Sequence, residues 1–141
     1  MRYKVFTDTN MLLSGVFFEG NESKFLDLIE LDLVTSEDVV DELRRVVKKK
    51  LKYLKDRTFE IALAETENAL SDIIVIPRAQ YSHKLKDAET LITHKKDIPI
   101  LAAVLYAKPD CFLTGDAHFL TDKIKNIVNV MTASDFLANI R

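Results

Sequence analysis

What most constrains this chain is a regular alternation: short apolar runs that suit buried strands give way, again and again, to longer segments whose apolar residues recur at helical spacing. Tyr3-Lys4-Val5-Phe6-Thr7 is β-prone and ends at Asp8, after which Met11-Leu12-Leu13 opens a helical pattern. Further strand-like runs stand at Leu33-Val34, Ile73–Ile76, Cys111–Thr114 and Ile127–Val130. Of these, Ile73–Ile76 before Pro77 reads as the clearest buried strand. Helical spacing covers Glu22–Leu31, a long segment from about Thr35 to Leu51, about Lys55 to Leu70, Lys84 to His94, Asp97 to Tyr106, a short turn at Phe119-Leu120, and Ser134 to Ile140. Thr35 and Asp38 have the capping-box spacing, and Pro99 is tolerated in a first turn whose amides lack partners. Repeated strand-then-helix units predict an α/β fold, a three-layer α/β/α sandwich around a mostly parallel five-stranded sheet.

With 141 residues the chain can fill one sizeable core and not two, so a single domain over 1–141 is expected. Hydrophobic residues make up 48% and charged residues 30%, with three Gly and three Pro, which excludes a disordered or low-complexity chain. The formal net charge of −2 provides no global cationic field, so any polyanion site must be local. Cys111 is the one cysteine; it rules out an intrachain disulfide or a cysteine-based zinc site and reads as a small core side chain. No apolar run approaches the ~18 residues that span a bilayer, and no signal pattern follows Met1-Arg2, so a cytoplasmic location away from membranes is expected.

In an open parallel sheet, ligands gather beyond the C-terminal ends of the strands, where the strand-to-helix loops lie. Asp8 directly follows the first strand, Asp116 lies two residues beyond Thr114, and Asp97 opens a helix between the third and fourth strands. A fourth acid comes from the long helix. Asp41 has only polar neighbours at three and four residues, whereas Glu42 has Val39 and Val46 among its own and stands at the border of the apolar stripe, so Glu42 is the one aimed inward. Carboxylates crowded together repel one another unless a cation neutralises them. All-oxygen ligation suits Mg²⁺ or Mn²⁺, and such a site serves attack of metal-activated water on a phosphodiester. Asn10 and Thr114 are placed to orient carboxylates or water. Each acid also has a plainer account alone: Asp8, Asp97 and Asp116 as helix caps, Glu42 as a partner of Arg45. Their joint placement at one edge favours the site.

These residues resemble the PIN-domain family, in particular its bacterial and archaeal toxin-like members related to VapC ribonucleases. Val5-Phe6-Thr7-Asp8-Thr9-Asn10 is similar to the first motif of that family, Glu42 in Val40-Asp41-Glu42-Leu43 to its second acidic position, Asp97 in Asp97-Ile98-Pro99-Ile100-Leu101-Ala102-Ala103 to its third, and Leu113-Thr114-Gly115-Asp116 to its fourth. The resemblance implies Mg²⁺ or Mn²⁺ dependence, endonucleolytic cleavage of RNA, a cognate antitoxin and a homodimer. One departure stands out: relatives often carry adjacent acids at the third motif, whereas Lys96 and Ile98 flank Asp97. One resident ion, joined by a second with the substrate phosphate, is therefore expected.

From Arg44 to Arg57 the chain holds eight basic residues against the single acid Asp56, and this run begins on the helix that carries Glu42. Arg45, Lys48, Lys49 and Lys52, with Lys96 beside Asp97, are candidates to hold an RNA backbone, although a lysine-rich helix face is equally accounted for by solvation. Tyr53 and Phe17-Phe18 suit base stacking, packing or a protein contact. His83, His94 and His118 lack metal-ligand spacing; His118, two residues after Asp116, reads as a surface or packing residue. Two rival functions remain: a catalytically silent PIN module that binds RNA or protein, and a Mg²⁺-dependent phosphatase. The latter needs a second Asp two residues after the first, where this chain has Asn10.

Overall fold

The computed structural model describes residues 3–17, 31–49 and 58–139. The expected helix over Glu22–Leu31 lies outside the described residues except for Leu31, which belongs to a strand; Phe18, Lys52 and Tyr53, and all of the basic run after Lys49, lie outside them too.

Five strands form the sheet: β1 (Tyr3–Thr7), β2 (Leu31–Ser36), β3 (Ile74–Ile76), β4 (Cys111–Leu113) and β5 (Val130–Met131). Their order is β3-β2-β1-β4-β5, and every pair is parallel. The main helices are α1 (Thr9–Phe17), α2 (Glu37–Lys49), α3 (Phe59–Leu70), α4 (Arg78–Tyr81), α5 (Leu85–Glu89), α6 (Ile98–Ala107), α7 (Asp122–Lys125) and α8 (Ala133–Asn139). The chain steps from β1 outward through β2 to β3, then returns across the sheet to β4 and continues to β5. Since parallel crossovers are right-handed, the first leg lays α1 to α3 on one face and the return leg lays α6 on the other. The result is the three-layer sandwich.

Burial follows from that cover. Val5, Phe6 and Thr7 are all fully buried, although alternate residues of a strand point to opposite faces, so β1 is covered on both. Phe6 lies opposite Phe112 in register, their rings meet edge-on at 5.6 Å, and Phe119 packs on Phe112 at 5.0 Å. These rings form the centre of the core.

Four local expectations are corrected. The run Ile73–Ile76 is not the most buried strand: β3 is an edge with one neighbour, and Ile74 and Val75 are 59% and 37% exposed. An apolar run does not by itself distinguish a central strand from a partly covered edge. Next, β2 continues through Thr35, whose hydroxyl donates to the Thr7 carbonyl at 2.9 Å, so Ser36 is the residue that caps α2, its Oγ accepting from Val39 N–H at 3.3 Å. The segment after Pro77 forms a short helix at Arg78–Tyr81 and a 3₁₀ turn at Ser82–Lys84, and the helix expected over Lys84–His94 is confined to Leu85–Glu89. Last, β5 begins at Val130, because Ile127 closes the turn after α7 through its N–H to Ile124 O at 2.9 Å and is 60% exposed.

Candidate active site

The strand order reverses between β1 and β4. Loops leaving these two strands diverge to opposite faces, and the crevice between them is where a sheet of this kind receives a ligand. Asp8 leaves β1 on one side of it, and Thr114-Gly115-Asp116 leaves β4 on the other.

Asp8 is buried, and both carboxylate oxygens are held. Oδ1 accepts the Met11 N–H at 3.0 Å, which caps α1, and Oδ2 accepts the hydroxyl of Thr114. Asp8 thus caps α1 and at the same time stands in the crevice. Burial, with smaller contributions from the charges of Asp116 and Glu42, raises the Asp8 carboxyl to about 6 against the downward pull of its two hydrogen bonds. Glu42 and Asp116 both act on Asp8 through charge, so each lies within electrostatic reach of it. Asp41, by contrast, pairs with Arg78 at 2.7 Å, in an exposed cluster with Glu37 and Asp38.

Thr114 links the two sides of the crevice. It donates to Asp8, and its Oγ1 accepts the Asp116 N–H at 3.0 Å. Asp116 in turn accepts the His118 N–H at 2.9 Å, capping the 3₁₀ turn Ala117–Phe119. Asn10 is exposed on the first turn of α1.

Asp97 precedes α6 but does not cap it. Its buried carboxylate instead lies 2.8 Å from His118 Nδ1 and 3.6 Å from His94 Nδ1. His118 Nδ1 is also 3.3 Å from Asp116 Oδ1, so one imidazole bridges the third and fourth acids. Burial raises the Asp97 carboxyl and the His118 hydrogen bond lowers it. The histidines were not separable from surface residues by spacing: His94 and Asp97 are close in sequence, but His118 arrives from beyond β4. The usable signal was its position two residues after an acid at a strand end.

The donor set fits a hard divalent cation. Asp8 is buried and feels the like charges of Glu42 and Asp116, which a cation would offset, and these three side chains offer oxygen alone. The hydroxyls of Thr7 and Thr9, either side of Asp8, are buried with no partner among the described residues, which leaves further polar capacity beside it. Arg45, Lys48, Lys49 and Lys96 are exposed, whereas Arg44 is tied to Glu67 at 2.7 Å.

A family model described as PIN domain matches residues 6–132. A comparison with curated proteins returned no match. Among solved structures, the chain is similar to one in VapBC2 from Rickettsia felis bound to a promoter DNA fragment, with TM-score 0.71 and 17% identity over 92% of this chain and 98% of that one. It is similar to a chain of a toxin–antitoxin complex from Klebsiella pneumoniae (TM-score 0.67, 18% identity, 92% and 97% covered) and to one of VapBC-1 from nontypeable Haemophilus influenzae (0.66, 16%, 93% and 98%).

Proposed function

The chain belongs to the PIN-domain family, and from that membership we propose that it is a Mg²⁺- or Mn²⁺-dependent endoribonuclease, a single-domain cytoplasmic toxin held in check by a cognate antitoxin. The observation that carries the reading is Asp8: a buried carboxylate fixed by two donors at the reversal point of the sheet, with Glu42 and Asp116 in electrostatic reach. In support of a partner, the similar solved structures include two VapBC assemblies and a toxin–antitoxin complex. No helix among the described residues is long and apolar enough to cross a membrane.

In this reading Asp8, Glu42, Asp97 and Asp116 hold the ion. When bound, it supplies positive charge against the scissile phosphate and acidifies a water for in-line attack. The chain's own contribution is preorganisation. Met11 N–H and Thr114 fix the Asp8 carboxylate, Thr114 ties it to the β4 loop through the Asp116 amide, and Asn10 faces solvent where it can orient a water. Arg45, Lys48 and Lys49 on α2, with Lys52 and Lys96, hold the RNA backbone, whose affinity then depends on salt. A homodimer is part of the same proposal.

The test is labelled RNA incubated with purified protein and Mn²⁺ or Mg²⁺, beside an Asp8→Asn variant. Cleavage by the parent that EDTA stops and the variant lacks is expected. Equal cleavage by both, with contamination excluded, overturns the mechanism, and no cleavage by either favours a silent RNA- or protein-binding module.

A further inference from the structure

We propose that His94, Asp97 and His118 form a second metal site, selective for a borderline transition cation of the Zn²⁺ class over Mg²⁺. The three side chains each offer one donor atom, and these atoms all lie within 4.8 Å of one another. Both imidazoles turn Nδ1 toward the same oxygen, Asp97 Oδ2, at 2.8 Å for His118 and 3.6 Å for His94. The two rings stack at 4.2 Å with their planes 24° apart, so they approach the carboxylate side by side.

Several observations distinguish this trio from an incidental surface cluster. Asp97 occupies the position from which an Asp ordinarily caps a helix, yet it makes no cap hydrogen bond and faces the imidazoles instead. It is buried, with 11% of its side chain exposed, while the imidazoles are 54% and 47% exposed. A fixed anionic donor is thus flanked by two imidazole donors whose exposure leaves them room to turn toward an ion at bonds of about 2.0–2.2 Å. The elements are separate: His94 and Asp97 come from the loop before α6, and His118 from the turn after β4. A cleft of about 470 Å³ lined by Leu91, Ile92, His94, His118 and Thr121 gives an ion and its remaining waters an entry path.

Ligand chemistry then sets the selectivity. Two imidazole nitrogens and one carboxylate oxygen, with open positions, suit Zn²⁺, Co²⁺, Ni²⁺ or Fe²⁺, whereas Mg²⁺ demands oxygen and sheds water reluctantly. Binding replaces the hydrogen bond between His118 Nδ1 and Asp97 Oδ2, whose proton passes to solvent. Asp97 is also one of the four acids of the ribonuclease reading, so an ion held here draws it away from them, and Zn²⁺ then antagonises Mg²⁺-supported cleavage. That consequence rests on the ribonuclease reading; the binding does not.

The test is Zn²⁺ binding by metal-free protein, followed by calorimetry, with the visible absorption of Co²⁺ reporting nitrogen ligation. Single His94→Ala and His118→Ala variants, their folding checked by circular dichroism, are expected to lose about tenfold or more in Zn²⁺ affinity. The Asp8→Asn variant is expected to retain Zn²⁺ binding, and His94→Ala to leave Mg²⁺ binding unchanged. Unaltered Zn²⁺ affinity in both histidine variants overturns the site. So does a loss in Asp8→Asn that the histidine variants do not share, since the ion then sits on the carboxylates. Neither outcome bears on RNA cleavage in Mg²⁺, which the Asp8→Asn assay tests separately.

Discussion

Asp8 concentrates opposing demands in one side chain. It is buried at the reversal of the sheet, and the proposed function requires it to be charged to serve a cation. Its carboxyl rises from 3.8 to about 6 on folding, so the metal-free fold binds its proton more tightly than the unfolded chain does. The sign follows: the penalty on the charged form is complete above about pH 6 and disappears below 3.8, so in metal-free protein this group adds stability as pH falls through that window. A shift of this size corresponds to roughly 2–3 kcal/mol. Asp8→Asn keeps an acceptor for Met11 and removes the charge. In EDTA at pH 7.5 we expect it to be about 1–2 kcal/mol more stable than the parent, with the gain shrinking toward pH 4, as read by thermal unfolding at each pH. Thr114 is the complementary case, because its hydroxyl serves Asp8 and the Asp116 amide together. Thr114→Val preserves shape and leaves both without their partner; a loss of about 1–3 kcal/mol in urea unfolding is expected, with Thr114→Ser close to the parent.

Elements carry these residues into place, and two of their ends are open to test. Helix α2 presents Glu42, and its start is fixed by Ser36 rather than Thr35 because the Thr35 hydroxyl is taken by the Thr7 carbonyl. Ser36→Ala should cost about 1 kcal/mol in urea unfolding. Helix α6 is capped by Lys108, whose N–H donates to Val104 O at 3.0 Å and which turns the chain away in a left-handed conformation (φ 49°). Any side chain is strained there, so Lys108→Gly is expected to raise stability by up to about 1 kcal/mol, seen as a higher unfolding midpoint. The position is remote from Asp8 in the fold, at the opposite end of α6 from Asp97, and cleavage should be unchanged.

At the scale of the whole molecule, the proposed function requires a chain of net charge −2 to meet RNA through a local face. Arg45, Lys48 and Lys49 are exposed on the last turns of the helix that carries Glu42, so these cations and that carboxylate sit on one rigid body. In fluorescence anisotropy with single-stranded RNA and an Asp8→Asn background, each of Arg45→Ala and Lys49→Ala should lower the slope of log affinity against log salt by about 0.7. Lys86→Ala, on α5, should leave the slope unchanged; equal loss from all three would mean that the face is not selective.

Sequence alone determined what depends on local chemistry and on periodicity. Alternating strand and helix patterns specify an α/β chain with a parallel sheet, and strand ends specify where Asp8 and Asp116 must stand, because a parallel strand has to release its chain at one edge. Helical neighbours distinguish Glu42 from Asp41, since side-chain direction on a helix is set by residues three and four away. Tertiary structure decided whatever joins distant segments. Whether Ile73–Ile76 is central or an edge depends on the order of strands, and whether Thr35 or Ser36 caps α2 depends on β1 reaching for one of them. The convergence of His94 and His118 on Asp97 depends on the return of the chain from β3 to β4, a crossover that no spacing in the sequence encodes.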